Sequence, residues 1–203
     1  PNGIVPYSGQ QCFADGESYP DLDWVRTQIV DGKIDFFGEV LAEYYGISSS
    51  DSTLYPYYSL AQEFNLPVGI HTGLAGPDHL SPAFDPAMGD PILLRDMLDN
   101  FPELKVWLMH AGGPYQEGTM TILKEYPRVY LDLTVLADSD IIDQRGFEGV
   151  MRNFIDAGCE DRIMFCSDNG DLNTMSSAMI NLEFLLLSKK EKISIQTAPG
   201  FCS

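Results

Sequence analysis

The chain has 203 residues, enough for one domain with a substantial core but too few for two, and we expect a single domain over residues 1–203. Its 30 acidic and 12 basic residues give a formal charge of −18, which disfavours nucleic acids and anionic membranes as partners. The apolar runs are too short to span a bilayer, and no signal peptide is visible after Pro1, so we expect a cytoplasmic protein.

Short apolar segments, rich in β-branched and aromatic residues, alternate with longer helical patterns along the chain. The six predicted strands cover residues 3–8, 34–40, 66–73, 106–114, 129–134 and 162–170. The predicted helices cover residues 21–30, 51–64, 90–100, 115–126, 147–157 and 172–187. This alternation is typical of βαβ units, and the nearly continuous apolar character of the strands indicates a parallel sheet covered on both faces.

Charged or imidazole side chains follow five of the six predicted strands. They are Glu39, His71, His110, Asp132 and Asp168. A doubly wound sheet and a barrel both fit the element count. In a barrel the carboxyl ends of all strands converge on one site, whereas in an open sheet the strands far from the switch point have no reason to end in such residues. We therefore predict an α/β fold of the (β/α)₈-barrel type with parallel strands.

Three of these side chains combine the ligand types of a catalytic zinc site. His71 and His110 each end an apolar strand, and Asp168 ends the last one. Two imidazoles and a carboxylate at one face can hold Zn²⁺ with one position left for water. A lone histidine in such a place is better explained as a hydrogen-bonded cap of its strand, but the recurrence of the arrangement at three strand ends favours a shared site. Glu39 and Asp132 fit either an orienting or a structural role, and His79 lies in a predicted loop.

The chain resembles the amidohydrolase-2 family, the branch that includes aminocarboxymuconate-semialdehyde decarboxylase and 2-pyrone-4,6-dicarboxylate lactonase. The resemblance is in the segments PVGIHTG (67–73), HAGGP (110–114), VYLDLT (129–134) and DRIMFCSD (161–168), with GEV at 38–40. Their order and spacing agree with the family over nearly the whole chain.

The resemblance implies roles for three residues. His71 is implied as a metal ligand, Asp168 as a ligand and general base, and His110 as a group beside the metal, or a third ligand, that polarises substrate or transfers a proton. The family's first strand carries an HxH pair, which this chain of three histidines does not contain. The resemblance thus implies a fragment with barrel strands 3 to 8, in which residues 3–8 form the third strand and the first two are missing; the alternative is a protein that has lost half of its metal site.

The leading functional hypothesis is a metal-dependent hydrolase, or a non-oxidative decarboxylase, that acts on a small carboxylated molecule. The implied cofactor is a divalent metal, Zn²⁺ by ligand type, which this truncated chain is expected to bind weakly or not at all because the HxH ligands are missing. One alternative is a catalytically impaired barrel that serves as a binding or structural protein, and another is a metal-free lactonase. A homo-oligomer is compatible with the sequence.

Overall fold

The computed structural model describes residues 19–76, 81–133, 135–166 and 171–185. Within those residues, the strands are β1 (Phe37–Val40), β2 (Val68–His71), β3 (Val106–Met109), β4 (Val129–Asp132) and β5 (Ile163–Met164). The α-helices there are α1 (Leu22–Val30), α2 (Tyr55–Glu63), α3 (Arg95–Asn100), α4 (Gln116–Glu125), α5 (Gln144–Asp156) and α6 (Leu172–Ile180).

The five strands form one sheet in the order β1-β2-β3-β4-β5, and every neighbouring pair is parallel. The predicted parallel arrangement in chain order is thus confirmed for these strands. The strand predicted over residues 3–8 lies outside the described residues. Each strand is shorter than predicted, because the polar segments after His71, Met109 and Asp132 leave the sheet as loops.

The two faces of the sheet differ in what they carry. Fully buried aliphatic residues on one face belong to a continuous core with the helices; they are Val68, Ile70, Val106, Leu108, Val129 and Leu131. The other face carries Gly69, where an added Cβ would contact the side chains of Met109 and Trp107. His71 follows on that same face, because side chains alternate along a strand. The second face therefore carries the polar chemistry.

Two helix predictions are confirmed closely and four need correction. Segments 51–64 and 90–100 each begin with a 3₁₀ turn before the α-helix starts. Helix α5 begins at Gln144, earlier than predicted, because the Asp143 carboxylate accepts a hydrogen bond from the backbone of Gly146 at 2.7 Å. Helix α6 ends at Ile180 and not at residue 187. Among the described residues, every helix falls short of the length and apolarity that a membrane span needs.

Candidate functional site

Three side chains at the carboxyl ends of β1, β2 and β3 come together. Glu39 lies in β1, His71 ends β2 and His110 follows β3 directly. Each offers one potential ligand atom, and these atoms lie within 4.8 Å of one another. The His110 Nε2 atom is 3.3 Å from Glu39 Oε1, and the imidazoles of His71 and His110 meet edge-on with centroids 4.7 Å apart. The cluster is thus compact and has the donor atoms of a metal site.

His71 has a second carboxylate behind it. The 3₁₀ turn after β1 places Glu43, whose side chain is 1% exposed, with Oε1 at 2.7 Å from Nδ1 of His71. The distance is that of a hydrogen bond, although the N–H does not point well at the oxygen. Glu43 therefore leaves Nε2 as the His71 nitrogen available to a ligand.

His110 is held through its backbone. Its φ is +64° and that of Ala111 is +51°, a left-handed conformation that residues with a Cβ seldom adopt. Asp132 accepts a hydrogen bond from the His110 backbone N–H at 3.0 Å. The hydroxyls of Thr72 and Thr119 donate to the carbonyls of Met109 at 2.5 Å and Ala111 at 3.0 Å. We call these three side chains, Thr72, Asp132 and Thr119, the backbone clamp.

Buried polar groups are concentrated at this end of the sheet. The buried polar or charged residues of the described part are Glu43, Ser49, Thr72, His110, Thr119 and Asp132. All except Ser49 are His110 itself, members of the backbone clamp or the partner of His71. Buried polar groups are costly unless they are hydrogen-bonded, and their concentration beside two histidines is typical of a functional site.

The loop after β2, the loop after β3 and the segment around Gly89 meet at glycine residues. The backbone N–H of Gly73 donates to the carbonyl of Gly89 at 2.8 Å, and that of Leu74 donates to Gly113 at 3.0 Å. A Cβ at Gly73 would lie 2.3 Å from the Gly113 oxygen, and one at Gly89 would lie 2.2 Å from the Gly73 oxygen. We call this the glycine contact. It allows the loops after β2 and β3 to pack backbone against backbone.

The charge of Glu39 is set by opposing influences. Burial raises the pKa of its carboxyl, but the hydrogen bond with His110 and the nearby charges of His71 and His110 lower it further than burial raises it. The net pKa is below the ordinary value, so Glu39 is an anion at neutral pH. An anionic carboxylate beside two imidazoles attracts a cation.

The sequence-based candidates fall into three groups. His71 and His110 lie together as expected, whereas Asp168 and His79 lie outside the described residues. Glu39, left open between two roles, contributes directly to the cluster. Asp132 acts on the site through the main chain, because its carboxylate accepts hydrogen bonds from the His110 backbone and from Trp107 Nε1.

Glu43 was missed by the sequence analysis, because it lies in a short 3₁₀ turn that no apolar periodicity marks. Its position four residues after Glu39, just beyond the end of a predicted strand, is the one feature of the sequence that could have identified Glu43 as a site residue.

Comparison with known proteins assigns the sequence to a family. The sequence model of the amidohydrolase-2 family, described as Amidohydrolase, matches residues 25–180. The protein fluG of Emericella nidulans is 25% identical over 104 residues, which are 51% of this chain and 11% of that protein. The chain thus spans a small part of that curated relative.

Solved structures share the fold. A protein named as a metal-dependent hydrolase from Lactobacillus casei is 25% identical with a TM-score of 0.58, over 75% of this chain and 43% of that one. A zinc-bound amidohydrolase of Burkholderia multivorans is 14% identical with a TM-score of 0.63, over 91% and 72%.

A manganese complex of 5-carboxyvanillate decarboxylase from Novosphingobium aromaticivorans is 17% identical with a TM-score of 0.55, over 90% and 61%. The five parallel strands are thus a partial fold of the TIM-barrel type found in amidohydrolases. Because the family model covers well over half of its length, the chain belongs to the amidohydrolase-2 family.

Proposed function

We propose that this chain carries the site of a metal-dependent hydrolase that acts on a small carboxylated molecule. The observation that supports the proposal is the cluster of Glu39, His71 and His110, with potential ligand atoms within 4.8 Å of one another. Asp168, implied by the family resemblance as a further ligand and general base, is part of the proposal.

The donor set fits a divalent metal. Imidazole nitrogen and carboxylate oxygen are the ligand types of Zn²⁺ and of related ions. Ligand atoms around one ion lie about 3–4 Å apart, so the 3.3 Å between Glu39 Oε1 and His110 Nε2 is already suitable. The contact of His71 Nδ1 with Glu43 is the arrangement by which proteins orient a metal-binding imidazole.

Each residue of the site has a separate role in the proposed reaction. A divalent metal bound at this cluster would supply Lewis-acid activation of water and of a substrate carbonyl. While its Nε2 is not bound to the metal, His110 can carry a proton that Glu39, ionised and 3.3 Å away, can accept or return, and His110 can pass that proton to a leaving group. Asp168 would take the proton of the attacking water. Glu43 would keep the His71 imidazole fixed throughout.

Decarboxylation is the alternative reaction for the same site, because the fold is shared with 5-carboxyvanillate decarboxylase. In that case the cluster would hold the carboxylated substrate while His110 protonates the carbon that loses CO₂. The two reactions differ in their products, since hydrolysis incorporates an oxygen atom of water and decarboxylation releases CO₂.

Titration of the protein with Co²⁺, followed by absorption spectroscopy, tests the metal site. Glu39 adds a ligand that the expectation of weak binding did not count, so we expect one equivalent to bind. We expect His71→Ala and His110→Ala each to weaken binding by at least about tenfold. The matched control is His79→Ala, the same substitution at the remaining histidine, which should leave the affinity unchanged. Equal affinity of His71→Ala and the native protein would contradict the proposed site.

Activity is tested on the metal-loaded protein. Incubation in ¹⁸O-labelled water with a panel of carboxylated lactones and amides should give a labelled product, and incubation with 5-carboxyvanillate tests for CO₂ release. Metal binding without either product would favour the binding-protein hypothesis. Hydrolysis that persists after removal of the metal with a chelator would favour the metal-free lactonase.

A further inference from the structure

Asp132 is a buried carboxylate that the proposed chemistry does not use. It is 0% exposed, at the end of β4. Its two oxygens accept hydrogen bonds from different places: Oδ2 from Trp107 Nε1 at 2.6 Å, and Oδ1 from the backbone N–H of His110 at 3.0 Å. The carboxylate thus joins a side chain of β3 to the first residue of the loop that follows that strand.

Burial of a carboxylate opposes folding unless hydrogen bonds compensate for the loss of water. Side chains alternate along β4, so Leu131 packs into the apolar core while Asp132 lies on the opposite face, which carries Trp107 and His71. Packing alone therefore does not account for a carboxylate at this position, and its contact with the His110 backbone indicates a role at the site.

The His110 backbone needs such a contact. His110, Ala111 and Gly112 all have positive φ, at +64°, +51° and +68°. Only the glycine adopts this conformation freely, so the surrounding structure must hold the other two. If the His110 N–H were released, the segment would relax towards ordinary angles and its imidazole would turn away from Glu39 and His71.

We propose that Asp132 is a positioning residue that holds the His110 backbone in its left-handed conformation and so aims the imidazole at Glu39 and His71. Trp107 fixes the second oxygen of Asp132 and thereby orients the carboxylate. The metal-binding consequence of this proposal rests on the proposed function, whereas the orientation of the imidazole does not.

The substitution Asp132→Asn tests this role at nearly constant volume. An amide has one acceptor oxygen and one NH₂ group, so it must direct the NH₂ at either Trp107 Nε1–H or the His110 N–H. Trp107→Phe removes the competing indole donor. In the double variant Trp107→Phe/Asp132→Asn, the amide oxygen is free to accept from His110, and the orientation of His110 should recover.

The direct readout is the nuclear Overhauser effect between the His71 and His110 rings, whose centroids are 4.7 Å apart. Only three histidines contribute imidazole signals, so assignment is simple. We expect Asp132→Asn to reduce this effect severalfold and the double variant to restore most of it. In the metal titration, Asp132→Asn should weaken Co²⁺ binding about 10- to 100-fold, again with recovery in the double variant.

Tyr58→Phe is the matched control for loss of a buried hydrogen bond. The Tyr58 hydroxyl donates to the Ser49 carbonyl at 2.8 Å inside the core. This variant should lower the melting temperature and leave the inter-ring effect and the Co²⁺ affinity unchanged. Asp132→Leu keeps the branched shape of the side chain and removes both acceptor oxygens, so an unaltered inter-ring effect in that variant would overturn the positioning role. A reduced effect in Asp132→Asn that does not recover in the double variant would overturn it as well. If the native protein binds no Co²⁺, the proposed function fails, and the inter-ring effect still decides the role of Asp132.

Discussion

His71 and His110 lie edge-on in the same cluster but are held in different ways. His71 is the last residue of a regular strand, and the group that holds it, Glu43, contacts its ring. His110 begins a left-handed turn, and the backbone clamp of Thr72, Asp132 and Thr119 holds its main chain. One imidazole is thus oriented by side-chain electrostatics and the other by backbone conformation.

The difference indicates which substitutions should affect each histidine. A change of charge near His71 should alter its tautomer and ligand strength without moving the chain. A change of volume or of hydrogen bonding near His110 should move the chain itself and therefore influence stability as well. The following substitutions separate the two cases.

Gly112→Ala should have the largest effect, and only on the His110 side. A Cβ there would lie 2.1 Å from Thr119 Oγ1 and 2.8 Å from Pro91 Cγ, at a φ of +68°. Overpacking and the left-handed backbone together should lower the free energy of unfolding by about 2–4 kcal/mol, as measured by urea denaturation. The inter-ring effect should vanish while the tautomer of His71 stays the same.

Gly149→Ala is the control for Gly112→Ala. A Cβ at Gly149, in helix α5, would point into open space, so alanine should stabilise the helix by about 0.5–1 kcal/mol. If Gly112→Ala proves no less stable than this control, the turn is not a constraint on His110.

Glu43→Gln should have an intermediate effect, and only on the His71 side. The substitution keeps the volume and removes the charge next to His71 Nδ1. We expect about tenfold weaker Co²⁺ binding and a loss of about 1 kcal/mol in the free energy of unfolding, because the close contact of the imidazole with a carboxylate is replaced by a contact with a neutral amide. Glu63→Gln, at an exposed ion pair with Arg26, is the control and should change Co²⁺ binding by nothing measurable. A shift of the His110 imidazole NMR signals in Glu43→Gln would contradict the view that the two histidines are held independently.

The pH dependence of the stability that Glu39 contributes should be the smallest of these effects. It bears on both histidines, because the Glu39 carboxylate contacts His110 and its pKa is also influenced by His71. Its pKa is lower in the folded protein than in the unfolded chain. The stability it contributes is therefore present above the unfolded pKa and is lost as the pH falls through the folded pKa. The difference in unfolding free energy between the native protein and Glu39→Gln should shrink below about pH 4–5. A difference that grows on acidification would show that burial outweighs the imidazoles.

Much of the fold could be predicted from the sequence because apolar runs and their polar ends mark the strands well. The positions of His71 and His110 at strand ends followed from that pattern. The conformation of His110 did not, since residues other than glycine give no signal for a positive φ, although the glycines after it indicated an unusual turn. Glu43 was missed because its role depends on a contact across the chain with His71. The role of Asp168 stays a prediction.

The glycine contact has a consequence for how new specificities can arise on this scaffold. Gly73 and Gly89 have no room for a side chain where they meet the neighbouring backbone, so point substitution at either of them disturbs two loops at once. The stretch between Gly73 and Gly89 enters and leaves through this contact, and its ends are tied together by the hydrogen bond from Gly73 to Gly89. The same stretch also contacts the turn that carries Glu43, because the Asp85 N–H donates to the Glu43 carbonyl at 2.9 Å and the Ser81 hydroxyl donates to the Tyr44 carbonyl. A change in the loop that is meant to alter specificity must therefore keep these contacts, or it will also move the carboxylate beside His71.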